Sequence, residues 1–273
     1  MQAPKLIDIK ELIRSKNPKL LRYLPGFVLR YLRKTLHEKE LNAFITAHGE
    51  LEGHAFCEAA TKYFNFKFEV DGIEHIPKTG PIIIAMNHPL GGVDAIAFIV
   101  ALQNHRRDLK FIVNDLLTNL DNLNEFFVGI NKHGKNGIST RERIKQAFYE
   151  DQALCIFPAG MVSRIYDGQI QDSEWKKTFI TYGRELNRPI VPIHISGQLS
   201  PFFYRLFKIR TFFGIKANIE MFYLADEMLK QKNKTIRFTV GKPIMGKDID
   251  PNMDDLKAAN WFKSQVYQLK KTK

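Results

Sequence analysis

Two apolar segments joined by a short turn say most about how this chain folds. Residues 81–86 read Pro-Ile-Ile-Ile-Ala-Met, the pattern of a buried strand. Residues 94–102 are again almost wholly apolar and read as a buried helix. Further strand patterns are expected at 66–70, 109–113, 127–131, 154–157, 190–195, 217–222 and 236–240. Helical patterns fall at 95–103, 140–149, 175–186 and 254–270. Strands alternating with helices imply an α/β fold whose sheet carries helices on both faces. Pro192 lies inside one of the buried strand patterns, which suggests a bulge or a sheet edge there.

The first 65 residues differ from the rest. They read as helical, with a further helical stretch at 43–64, and they divide the chain into a helical region, 1–65, and an α/β domain, 66–273. Residues 20–36 mix Leu, Tyr and Phe with Lys19, Arg22, Arg30, Arg33 and Lys34, and Pro25-Gly26 interrupts them. A basic amphipathic helix with aromatics suits a membrane interface; a helix packed on the domain with a solvated basic face has the same pattern. The whole chain carries a formal charge of +12, which points to a polyanionic partner. No run of about 18 apolar residues suggests a membrane-spanning helix. Residues 201–213 are aromatic and basic, and suit either a lipid contact or a packed core segment. The two cysteines, Cys57 and Cys155, are far apart and are expected to be reduced, in a cytosolic setting.

The chemistry sits between the first two segments. The turn Asn87-His88-Pro89-Leu90-Gly91-Gly92-Val93-Asp94 places a His and an Asp around two glycines, with Asp94 where the helix should begin. A His acting as general base needs a group that fixes its tautomer and supports the imidazolium, and a carboxylate does both. Such a pair has no protein nucleophile, so the nucleophile would be a substrate hydroxyl. An Asp at a helix start is also common for capping alone, and Pro-Leu-Gly-Gly is an ordinary turn.

Three more stretches follow strand patterns. Residues 157–164 end in Gly160, Met161, Val162, Ser163 and Arg164, a Gly turn beside an anion-binding side chain. Residues 130–135 form a cationic turn around Lys132. Residues 189–194 are the buried stretch with Pro192. Lys176 and Lys177 are a further candidate anion contact or a solvated helix face. His88, His105, His133 and His194 show no metal-ligand spacing.

In this order the pieces resemble the glycerophospholipid acyltransferase family of the lysophosphatidic-acid acyltransferase type, over about residues 65–245. The likeness is greatest to a bacterial branch described as haemolysin-like or ornithine-lipid O-acyltransferase-like, with its His-Pro-Leu-Gly-Gly-x-Asp and Phe-Pro-Ala-Gly-x-x-Ser-Arg blocks. The resemblance implies a mixed sheet flanked by helices, with the helical N-terminal region docking on an anionic membrane surface. It implies transfer of a fatty acyl group from an acyl carrier protein or coenzyme A thioester to the hydroxyl of a lyso-lipid, in membrane lipid biosynthesis. His88 would take the hydroxyl proton and Asp94 would hold His88. Gly160, Ser163, Arg164 and Lys132 would bind the acceptor. No bound cofactor and no nucleic acid partner are implied. The enzyme would sit peripherally on the cytoplasmic side of the inner membrane.

Two departures from the family pattern stand out. Five residues separate His88 from Asp94, one more than usual. Ala159 replaces the Glu that usually precedes the third block's Gly, which weakens the case for lysophosphatidic acid as acceptor and leaves another lysophospholipid or a lyso-amino-acid lipid open. The other readings of this pattern are a thioester hydrolase and a basic membrane-binding protein without activity.

Overall fold

Strand β2 (Ile82–Met86) is buried at every position because it has neighbours on all sides. In the computed structural model, which describes residues 7–16, 22–113, 121–128, 140–216 and 218–270, β2 pairs in parallel with β4 (Ala153–Ile156) and β7 (Pro189–Ile195). The spatial order of the sheet is β1 (Lys67–Asp71), β8 (Thr235–Val240), β7, β2, β4, β3 (Leu109–Phe111), with β9 (Ile244–Met245) beside β7. β8 runs antiparallel to β7 and β1 runs parallel to β8, so the sheet is mixed. A separate hairpin joins β5 (Arg164–Tyr166) to β6 (Gln169–Gln171).

Alternation along β2 builds two cores. Ile82, Ile84 and Met86 belong to one, with Phe44 of α3 (Glu38–His48), Phe56 of α4 (Gly53–Tyr63) and Phe98 of α5 (Gly92–Leu102). Ile83 and Ala85 belong to the other, with Ala147 of α6 (Thr140–Ala147), Phe179 of α7 (Thr178–Glu185) and Phe262 of α10 (Asp255–Gln268). Side chains one apart on a strand face opposite ways, so one run of five apolar residues serves both layers. The remaining helices are α1 (Ile9–Lys16), α2 (Gly26–Thr35), α8 (Pro201–Phe212) and α9 (Leu224–Leu229).

Several expectations from sequence need correction. The stretch 43–64 is two helices, α3 and α4, broken after His48, and both share the core of the sheet rather than forming a region apart. Helix α2 buries no residue. The strand expected at 217–222 is a 3-10 turn, Ile219–Tyr223, followed by α9. Its alternating pattern misleads because the polar residue, Glu220, is the buried one. The strand expected at 127–131 is reduced to a bridge from Phe127 to Phe111, and residues 129–131 lie outside the described residues. Pro192 is not at an edge; two residues of β7, Val191 and Pro192, face three, Gly241, Lys242 and Pro243, the one-residue slip of a bulge. It falls in mid-sheet where β7 changes partner, from β9 at Pro189 and Ile190 to β8 at Ile193–Ile195. A residue without an N–H is tolerated at such a changeover. Residues 201–213 form a helix, started by Pro201 and capped by Ser200, whose hydroxyl accepts from Phe203 N at 3.3 Å.

His194 gives the fold a pH dependence. It is buried on β7 with its ring edge-on to Tyr267, and burial together with the charge of Lys270 lowers its pKa from 6.5 to about 4. The unfolded chain therefore takes up a proton in this window that the folded chain refuses, and stability falls as pH drops from 6.5 towards 4. The expected loss from this group is about 3 kcal/mol by pH 4. In urea unfolding, His194→Asn should flatten that part of the stability profile; an unchanged slope would reject this assignment.

Candidate active site

Three motif segments leave the sheet at the same end of adjacent parallel strands. Asn87 and His88 follow β2, Phe157 follows β4, and Ser196 follows β7. In open α/β sheets, crevices beyond the carboxyl ends of the strands are where ligands bind. Asn87 ties two of these ends together. Its side-chain nitrogen donates to Ile195 O at 2.9 Å and its oxygen accepts from Ile195 N at 2.6 Å.

The extra residue between His88 and Asp94 is absorbed by Gly91, whose φ of 80° and ψ of −138° suit glycine alone. Helix α5 begins immediately after it. Asp94 lies in the first turn of α5, fully buried, and its Oδ2 accepts from His88 Nδ1 at 2.9 Å and from Leu90 N at 2.9 Å. The five-residue spacing therefore still forms the pair. The carboxylate fixes the His88 proton on Nδ1 and leaves Nε2 as the basic nitrogen. The His88 side chain is 17% exposed, and Nε2 has no hydrogen bond among the described residues. The ring stacks on Phe157 with centroids 4.0 Å apart, which sets its plane. Burial pushes the Asp94 carboxyl up from its ordinary value, while the hydrogen bond and charge of His88 oppose that.

Asp172 is a second buried carboxylate, and no sequence motif pointed to it. Its Oδ1 accepts from Ser163 Oγ at 2.6 Å and from His88 N at 3.3 Å. Its Oδ2 accepts from Trp175 Nε1 at 2.9 Å. Ser163 N in turn donates to His88 O at 2.8 Å. One carboxylate thus joins the His88 turn to the Phe-Pro-Ala-Gly-Met-Val-Ser-Arg loop. Burial raises its pKa, against the hydrogen bonds from Ser163 and Trp175.

The residues expected to bind an acceptor fall into different places. Gly160 is exposed at the tip of the loop, with φ 69°. Ser163 is buried and committed to Asp172. Arg164 is 1% exposed. Its Nε donates to Glu220 at 3.2 Å and its Nη1 donates to Val162 O at 2.6 Å, with the guanidinium 4.6 Å from the Phe203 ring centre. Arg210 meets the same Glu220, its Nε 2.8 Å from Oε2. The Arg164 guanidinium is therefore an internal partner of Glu220 and is not free for a head group. Nothing in the local sequence announces this, because Glu220 is 56 residues away. Lys132 lies outside the described residues. Among the described residues no group of three or more His, Cys, Asp or Glu side chains is placed to hold a metal ion.

A His–Asp pair at the carboxyl end of a sheet, with Nε2 of the ring open and no nucleophilic side chain bonded to it among the described residues, has the geometry that a general base acting on a substrate nucleophile needs. The acyltransferase family model matches residues 11–273, and the chain belongs to that family, as a glycerophospholipid acyltransferase family member. It is 42% identical over 265 residues to a lyso-glycine lipid O-acyltransferase of Bacteroides thetaiotaomicron, covering 97% of each chain. It is 40% identical over 265 residues to a protein of the same description from Phocaeicola vulgatus, covering 97% of this chain and 95% of that one. Among solved structures, the 1-acyl-sn-glycerophosphate acyltransferase PlsC of Thermotoga maritima aligns with a TM-score of 0.48 at 17% identity, over 96% of this chain and 93% of that one.

His88→Ala should lower acyl transfer by ~10²–10⁴, the usual cost of losing a general base. Asp94→Asn should be severely impaired too, since both the tautomer and the support of the imidazolium go with the charge. Turnover within a few-fold of wild type in either variant would remove the pair from the mechanism. Arg164→Ala should act differently, lowering unfolding free energy by about 3 kcal/mol because Glu220 loses one of its two buried partners. A variant of native stability with only a raised acceptor KM would return Arg164 to the binding surface.

Proposed function

We propose that the protein transfers a fatty acyl group from a thioester, on acyl carrier protein or coenzyme A, to the hydroxyl of a lyso-lipid. The observation that carries this reading is the 2.9 Å bond between His88 Nδ1 and Asp94 beside an open Nε2. His88 Nε2 takes the hydroxyl proton as the oxygen attacks the thioester carbonyl carbon. The tetrahedral intermediate expels the thiolate, the carbon–sulfur bond breaks, and the proton on Nε2 passes to the sulfur. No acyl-enzyme forms, so much of the rate comes from holding two substrates together. The relatives described as acting on lyso-glycine lipid, and Ala159 in place of the usual Glu, support a lyso-amino-acid lipid as acceptor.

Such an acceptor resides in a bilayer, and no described helix is long and apolar enough to cross one. The reading therefore includes peripheral attachment to the cytoplasmic side of the membrane. Tyr23 and Phe27, before and on α2, are 79% and 73% exposed. Phe212 on α8 is 84% exposed, with Phe213 beside it. These two surfaces meet, since Tyr31 OH lies 2.7 Å from Tyr223 OH and Tyr223 packs edge-on to Phe202. Exposed Arg22, Arg30, Lys34, Arg205 and Lys208 accompany them. Aromatics in the interface with cations against anionic lipid are a peripheral attachment.

The test of activity supplies each labelled thioester with a panel of lyso-lipids and reads the products by mass spectrometry. Acylated lyso-lipid is expected; free fatty acid irrespective of acceptor would make the protein a hydrolase. For attachment, the wild type should sediment with anionic vesicles and partly release at high salt. The double variant Tyr23→Ser, Phe27→Ser should sediment less. If it sediments like wild type while Phe212→Ser, Phe213→Ser does not, the anchor is α8 alone.

A further inference from the structure

We propose that Lys176 is the residue that binds the acceptor's head group, and that this head group is a carboxylate. The proposal rests on the lyso-lipid acyltransferase reading and names the recognition it leaves open. Loop 157–163 is fastened to His88 at both ends, by Phe157 stacking on the ring and by Ser163 N donating to His88 O. Whatever binds at the loop tip is therefore held at a set place relative to the base. The tip is Gly160, and Lys176 occupies the space beside it. A Cβ on Gly160 would lie 3.2 Å from the Lys176 ammonium nitrogen.

Lys176 is positioned twice over. Its N–H donates to Pro158 O at 3.1 Å, within the same loop. The residue before it, Trp175, is fully buried and donates its indole N–H to Asp172, the carboxylate that also holds His88 N. The backbone is thus fixed from two sides while the side chain is exposed. Its ammonium has no acidic partner among the described residues. Two other described cations near this loop are committed. Arg164 is ion-paired with Glu220, and Lys263 Nζ donates to Asp172 O at 2.7 Å.

Charge then decides the ligand. Asp94 and Asp172 lie beside His88 within the protein, so an anionic head group needs a cation away from them, at the loop tip. A single ammonium matches a single carboxylate. A phosphate on the donor's carrier fits less well, because a long pantetheine arm separates it from the sulfur that must reach His88. An amino acid linked to its lipid through nitrogen presents a carboxylate; linked through its carboxyl it presents an ammonium, which Lys176 would repel. The acceptor is accordingly of the N-acyl amino acid kind.

The test pairs binding with turnover, using the full chain in neutral detergent micelles. The binding probe is an N-acylglycine without a hydroxyl, and its methyl ester, titrated calorimetrically into wild type and Lys176→Gln. The turnover substrates are N-(3-hydroxyacyl)glycine and its methyl ester, with each thioester as donor. Lys176→Gln is expected to weaken the carboxylate probe and raise the carboxylate acceptor's KM about tenfold, the order of one charged hydrogen bond. The ester's values, kcat and the donor's KM should stay within about twofold, and Lys176→Arg should recover most of the loss. Equal binding of acid and ester by wild type, an unchanged acceptor KM in Lys176→Gln, or a rise confined to the donor's KM would each overturn the proposal. Selective binding of the acid without turnover of any lyso-lipid would uphold the carboxylate site and overturn the acyltransferase reading on its own.

Discussion

One carboxylate oxygen governs the geometry of the site. Asp94 Oδ2 receives the N–H of Leu90 and the Nδ1–H of His88, so the same atom closes the turn and orients the imidazole. The turn cannot open without releasing the imidazole. That oxygen is buried, and a buried carboxylate is costly unless its hydrogen bonds are made. The two donors offset part of the cost, since Asp94 Oδ1 is buried with no hydrogen-bond partner among the described residues, and Gly91 supplies the backbone angle that lets the donors converge. The pairing that the proposed base needs and the local fold of the turn are here the same set of contacts.

A second buried charge cluster stands behind the first. Glu220 is wholly buried between Arg164 and Arg210, with Phe203 packed on the Arg164 guanidinium. It joins the loop of the third motif to α8 and to the turn at 219–223. Buried ion pairs of this kind contribute little net stability compared with apolar packing, yet removing one partner is strongly destabilising. They fix which surfaces meet. In this protein they seat the aromatic helix α8 against the segment that begins β5, while Asp172 seats the other end of that loop on the His88 turn.

Much of this was legible in the sequence. The β2 run, the His–Asp turn and the helix after it follow from an apolar pattern and two glycines, and the helices at 178–185 and 255–268 from their periodicity. What stayed hidden has one physical cause. Asp172, Glu220 and the role of Arg164 depend on partners distant in sequence, and a charged residue gives no sign of being inward until its counter-charge is known. Ile219, Met221 and Tyr223 alternate like a strand, but the residue between the first two is the buried Glu220. The β5–β6 hairpin did have a local signal, Asp167-Gly168 with φ 52° and 77°, but the strands on either side are too short to show alternation.

The pairing of β1 with β8 bears on how the protein is made. Among the described residues, Lys67–Asp71 pairs with Thr235–Thr239, so the edge of the sheet waits for a segment 168 residues further on. A ribosome that has released the His88 turn, β2 and α5 has still not supplied the segment on which β1 hydrogen-bonds. Contacts this distant in sequence slow folding, and an unpaired strand is a hazard while it waits. Helix α4 comes just before β1 and packs on α5 early in the sequence. The nascent chain thus has a helical partner available to hold its N-terminal part against the growing sheet until Thr235–Thr239 arrives.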